Sequence, residues 1–220
     1  MDKEAFKAQV RDKMHPMVLI LDRAGFTPTS VSILGLVISI FSGYVVAKGH
    51  LFWGALVFLV GSGFDMLDGA LARMQGRVSR RGAFLDSTFD RFGEAALFSG
   101  MTWFFLTQLA EPRPVTVLFI LGTVVGSLTT SYVRARAEGV GETCYVGFLQ
   151  RPERIVLLVL GMILGWRVLE VILAGLAMAT LATTVQRIVH VIRKLPGAEP
   201  PHDPSEDSTG SPPHNPGETA

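Results

Sequence analysis

Cysteine is almost absent from this sequence: Cys144 stands alone. A disulfide framework within the chain is therefore excluded, and cysteine usage says nothing about redox compartment. Histidine has no useful pattern either. His15, His50, His190, His202 and His214 are scattered and share no ligand spacing, so no histidine-based metal site is written here. A dominant charge is also missing. Twenty Lys and Arg nearly balance nineteen Asp and Glu, for a formal net charge of +1, and no global field points to nucleic acid. The segment from Met1 to Lys13 is charged throughout and lacks the apolar run and small-residue site of a signal peptide. There is no internal repeat.

What the sequence does have is apolar length. Hydrophobic residues make up 49% of the chain and mean hydropathy is +0.39, too apolar for an ordinary soluble domain. A helix crossing a bilayer needs roughly 20 apolar residues. Six candidate segments appear: Thr29 to Ala47, Leu51 to Met74, Ala83 to Leu109, Pro114 to Val133, Ile155 to Trp166 and Val168 to Ile192. The expected fold is an all-α integral membrane protein with six transmembrane helices. With an even number of spans both termini share a side. All Lys and Arg except Lys48, Arg113 and Arg167 then fall on that side, which the positive-inside bias makes cytoplasmic. The expected location is thus a multi-pass protein of the cell membrane.

Phe6, Val10, Met14, Met17 and Leu21 recur at spacings of three and four, with Lys3, Lys7, Arg11 and Lys13 between them. This predicts an N-terminal amphipathic helix lying in the membrane interface, with a break at His15-Pro16. Residues 196–220 are rich in Pro, Gly, Ser and acidic side chains and are expected to be disordered. The predicted organisation is a juxtamembrane segment (1–26), a membrane domain (27–195) and a tail (196–220).

The chemistry concentrates in carboxylates. Asp65 and Asp68 are three apart on one predicted helix, and Asp86 and Asp90 four apart on the next, so each pair shares a helix face. The short link makes the two helices antiparallel neighbours whose carboxylates can converge. Four such groups near a membrane boundary need a positive partner. Oxygen-only ligands suit a hard divalent ion, magnesium or manganese, which also clamps phosphates. Gly69, Ala72 and Gly82 are small and leave room beside it. Two other readings use the same residues: structural ion pairs with Arg73 and Arg91, and a cation-coupled relay in a carrier.

The run Asp65-Met-Leu-Asp68-Gly69-Ala-Leu-Ala72-Arg73, followed after eight residues by Gly82-Ala-Phe-Leu-Asp86-Ser-Thr-Phe-Asp90, resembles the CDP-alcohol phosphotransferase signature at every fixed position. The resemblance extends over roughly 27–194. It implies a six-helix membrane enzyme, usually a homodimer, that moves a phosphatidyl group from a CDP-lipid to an alcohol with release of CMP. By the same resemblance, Asp65, Asp68, Asp86 and Asp90 bind Mg²⁺ (Mn²⁺ being the alternative), and Asp90 is the general base. Gly69, Ala72, Arg73 and Ser79 bind the CDP-lipid. Thr27-Pro28-Thr29-Ser30-Val31-Ser32 resembles the family's cytidine segment, which adds Pro28, Thr29 and Ser32; Thr29 stands where the family has Asn, and Ser32 where it has Thr.

A second basic group follows: Arg134 and Arg136 after the fourth span, Arg151 and Arg154 before the fifth, and Arg187 near the end of the sixth. Convergent arginines suit a phosphate monoester on the acceptor. Ser-Tyr-x-Arg-Ala-Arg-Ala-Glu from Ser131 and Arg151-Pro-Glu-Arg154 resemble the phosphatidylinositol phosphate synthase branch. The expected acceptor is inositol phosphate, with glycerol phosphate as runner-up. The expected partners are therefore a CDP-lipid, a phosphorylated alcohol, the bilayer and a second copy of the chain.

Overall fold

The computed structural model describes residues 15–144, 146–147 and 151–195. Among these there are seven helices and no strand: α1 (residues 15–23), α2 (Pro28–Ala47), α3 (Leu51–Met74), α4 (Arg80–Thr107), α5 (Pro114–Gly139), α6 (Arg151–Leu164) and α7 (Trp166–Lys194).

Local sequence sets the boundaries. Thr27 caps α2 in a reciprocal capping box with Ser30, and Pro28 occupies the first turn, where its missing N–H costs nothing. The α2–α3 link turns at Gly49 with φ +94°, and the chain leaves α3 through Gly76 with φ +64°, backbone conformations that favour glycine. Ser79 then caps α4 by accepting from the Gly82 N–H at 3.0 Å. Pro114 opens α5.

Four helices, α2, α3, α5 and α7, are long and apolar enough to cross a membrane. Only 33–39% of their apolar windows is buried inside the molecule, so most of that surface faces outward, as a lipid-embedded bundle requires. Val37, Phe41, Trp53, Leu118, Val171 and Met178 belong to this outer surface. The protein is therefore a multi-pass membrane protein. Two of the six expected spans fall short of the same standard. The first fifteen residues of α4 include Arg80, Arg81, Asp86, Asp90, Arg91 and Glu94. Helix α6 has 14 residues, about 21 Å of rise against a hydrocarbon core of about 30 Å.

The main core joins Phe58 of α3, Leu97, Met101 and Phe105 of α4, Ile120 of α5, Leu158 and Met162 of α6, and Leu169 and Leu173 of α7. Helix α2 reaches α4 because glycines face each other: a Cβ on Gly43 or Gly100 would run into the opposite backbone. Such small-residue contacts let membrane helices pack closely. Gly126 likewise admits Thr180 of α7. Hydroxyls of Thr129, Thr130 and Thr184 continue that seam.

A smaller cluster holds α1. Val18 is buried against Val31, Leu67 and Leu71, with Leu21 beside it, whereas Met17 is 52% exposed. Met17 and Leu21, read as one stripe from the sequence, thus have different surroundings. Phe6, Val10 and Met14 lie outside the described residues, as does the tail from 196 onward. At the opposite end, Lys48 lies over Tyr44, and both Arg113 and Arg167 lie over Trp166. The three basic residues assigned to the far side are thus all paired with aromatic rings.

Candidate active site

Helices α3 and α4 make little direct contact despite their short link; α2 packs along both of them and acts as a spacer. This differs from two helices packed face to face. The space between them is where the carboxylates meet. Oxygens of Asp65, Asp68 and Asp86 all lie within 4.8 Å of one another. Ligand oxygens on opposite sides of one divalent ion stand about 4–5 Å apart, so this trio fits such an ion. The donor set is hard oxygen only, which excludes soft-metal chemistry at this point. Asp68 is buried and accepts a short hydrogen bond from Ser32 Oγ.

Asp90 is placed differently. Its Oδ2 is paired with Arg151 Nη1 and lies 3.4 Å from Arg91 Nη1. Its Oδ1 is buried and has no hydrogen-bond partner among the described residues. Arg151 also donates to Asp65 Oδ2 at 2.9 Å. A guanidinium thus bridges carboxylates from α3 and α4, offsetting part of the charge that crowding creates.

Two cavities meet at this cluster. The first, of about 530 Å³, is lined by Pro28, Thr29, Ser32, Gly69, Ala72, Arg73 and Ser79, all expected from the sequence to face a CDP-lipid, together with Asp68 and Asp86. Thr27, the first residue of the cytidine-like segment, lines it too, as do Arg77 and Val78; the latter two sit in the variable link between the halves of the motif, where spacing carries no identity.

The second cavity, of about 690 Å³, lies between α4, α5, α6 and α7. Arg134, Arg151, Arg154 and Arg187 line it with Asp86 and Asp90, whereas Arg136 is exposed and does not. Arg187 is partly committed to the backbone. Its Nε donates to the Val146 carbonyl and its Nη1 to the Thr130 carbonyl, both at 2.8 Å. Arg154 is buried. Arg91, which donates to Ser131 Oγ at 3.0 Å, also lines this space. Asp86 borders both cavities. A ligand in either one therefore reaches the same carboxylate.

Residues 26–186 match the CDP-alcohol phosphatidyltransferase family. The chain is 38% identical over 190 residues to phosphatidylinositol phosphate synthase of Mycobacteroides abscessus, covering 84% of this chain and 85% of that one. The crystal structure of Mycobacterium tuberculosis phosphatidylinositol phosphate synthase with CDP-DAG bound superposes with a TM-score of 0.75 at 37% identity, over 80% of this chain and 92% of that one. The same enzyme in complex with manganese and citrate also gives 0.75 at 37% identity, over 80% of this chain and 88% of that one. An acidic cluster with the oxygen geometry of a divalent-metal site, set inside a family match that spans most of the described residues, leads to one conclusion: the chain belongs to the CDP-alcohol phosphatidyltransferase family and is an enzyme of that class.

Proposed function

We propose that the protein transfers a phosphatidyl group from a CDP-diacylglycerol-type lipid to inositol phosphate and releases CMP, as a step of phospholipid synthesis. The observation that carries this reading is the position of Asp86, on the wall of both cavities. A donor in the first and an acceptor in the second would meet at the carboxylate cluster. The names of the relatives, and the CDP-DAG and manganese bound to one of them, support the donor, the acceptor and the metal class.

Asp65, Asp68 and Asp86, with Asp90 at their edge, would hold Mg²⁺, with Mn²⁺ as the alternative. Bound there, the ion neutralises pyrophosphate charge and stabilises the departing CMP. Pro28, Thr29, Ser32, Gly69, Ala72, Arg73 and Ser79 hold the CDP portion. Arg134, Arg151, Arg154 and Arg187 hold the acceptor phosphate, and Arg136 stands outside that set. Asp90, on the wall of the second cavity, takes the proton of the acceptor hydroxyl. The hydroxyl oxygen bonds to the lipid-side phosphorus, the bond from that phosphorus to CMP breaks, and the proton stays on Asp90.

Helices α4 and α6 complete six spans, shielded by their neighbours where they are short or charged. The charge bias puts both cavities and both termini toward the cytoplasm. The membrane domain is 27–195, preceded by an interfacial amphipathic segment, and the working unit is a homodimer in the cell membrane.

The test is CMP release by purified protein from CDP-diacylglycerol with Mg²⁺, offering inositol phosphate, glycerol phosphate, inositol and glycerol in separate assays. Turnover with inositol phosphate is expected. Preference for glycerol phosphate transfers the assignment to that acceptor, preference for a free alcohol removes the need for the arginines, and no release with any acceptor overturns the assigned reaction.

A further inference from the structure

Glu94 takes no part in the chemistry described so far, yet it is a buried carboxylate in the middle of the molecule. It lies on α4, one helical turn beyond Asp90, and does not line the acceptor cavity. It stands behind that cavity. Its Oε1 is 3.5 Å from Arg151 Nε and 3.6 Å from Arg154 Nη2. Its Oε2 accepts a hydrogen bond from Ser127 Oγ on α5 at 2.9 Å. One carboxylate thus joins α4, α5 and α6: it is hydrogen-bonded to Ser127 and ion-paired, at more than hydrogen-bond length, with two arginines that line the cavity. A buried charge is stable when paired and hydrogen-bonded, and long arginine side chains bind phosphate well only when their forks are already oriented.

We infer that Glu94 is a positioning residue for the acceptor, holding Arg151 and Arg154 from behind so that their guanidinium groups face the substrate phosphate. This rests on the phosphorylated-acceptor reading given above. Two physical effects oppose each other at this position. Removing the negative charge raises the positive potential of the cavity and, by field alone, tightens anion binding. Removing the anchor releases two guanidinium groups and weakens it. The anchor dominates, because the carboxylate is ion-paired with both arginines at 3.5–3.6 Å and contributes no surface to the cavity.

The sign of the change is therefore the readout. Glu94→Gln keeps the shape and removes the charge. KM values for inositol phosphate and CDP-diacylglycerol are measured separately in this variant, alongside Mn²⁺ binding without substrates and thermal unfolding. The KM for inositol phosphate should rise at least tenfold. The KM for CDP-diacylglycerol and the affinity for Mn²⁺ should stay within about twofold, and kcat at saturating acceptor within about threefold. Glu94→Asp should recover part of the acceptor affinity. A lower or unchanged acceptor KM in Glu94→Gln overturns the inference, and so does an equal rise in both KM values. If Glu94→Gln does not fold, Ser127→Ala decides. It leaves all three charges in place and frees only Oε2, and should raise the acceptor KM a few-fold; no rise overturns the inference. Arg154→Ala separates the two levels. If it leaves acceptor KM unchanged, the phosphate reading fails and this inference with it. If it raises that KM while Glu94→Gln does not, only the role of Glu94 fails.

Discussion

The two cavities on either side of Asp86 are assembled in opposite ways. Every residue lining the proposed donor cavity lies between Thr27 and Asp86, on α2, α3, the start of α4 and the adjoining turns. The proposed acceptor cavity draws on positions from Ala83 to Arg187, spread over four helices. The first is made by local geometry: two capped helix starts and carboxylates one turn apart. The second is made by tertiary packing, since its arginines converge only when α5, α6 and α7 are docked. Substitutions should divide along the same line.

The largest effect is expected at Asp90, which lines the acceptor cavity alone. Asp90→Asn should lower turnover by about 10²- to 10⁴-fold, the usual contribution of a positioned base, while CDP-lipid still binds. Substantial residual CMP release would end the base assignment, and lost CDP-lipid binding would show that the two sides are not separable. Asp68 lines the donor cavity alone. Asp68→Ala should therefore remove activity together with the metal-dependent rise in melting temperature that CDP-lipid confers; an unchanged rise would contradict its place in the metal site.

Arg154→Ala tests the other side. Loss of one buried charged donor should cost about 2–5 kcal/mol of acceptor binding, read as a higher KM for inositol phosphate with little change for CDP-lipid. Equal effects on both substrates would erase the comparison. Ser79→Ala should destabilise the start of α4 by about 0.5–2 kcal/mol through loss of its cap, seen in thermal unfolding. Arg136→Ala should do least. It is exposed and outside the cavity, and acceptor KM should move less than about twofold, the scale of an ordinary surface change.

The donor side was legible because its chemistry is written at helical spacing. Asp65 with Asp68, and Asp86 with Asp90, announce their faces in the sequence itself, whereas the caps at Thr27 and Ser79 emerge only in the structure. The role of α2 as spacer was not legible, because it depends on Gly43 meeting Gly100, far apart in the chain. The pairing of Asp90 with Arg151 was equally hidden, since 60 positions separate them and no local period connects them. Glu94 has no sequence signal of its own; only the docking of α5 and α6 gives it Ser127, Arg151 and Arg154 as partners. The boundaries of α3 were fully readable. Those of α6 were not, because Arg151 and Arg154, polar in sequence, lie within the helix.

The shared wall at Asp86 has a consequence for inhibition. Because two chambers open onto one side chain, the proposed assignment of donor and acceptor means that a single molecule with a cytidine-diphosphate arm and a phosphate-bearing polyol arm would fill both at once. Once the first arm is seated, the second is already at high local concentration, so the combined compound gains over either fragment by the arithmetic of linked ligands. The gain depends on the tether: too short to pass the carboxylate and it vanishes, too long and it decays with the slack. A series of such compounds differing only in tether length would act as a ruler laid across the catalytic centre.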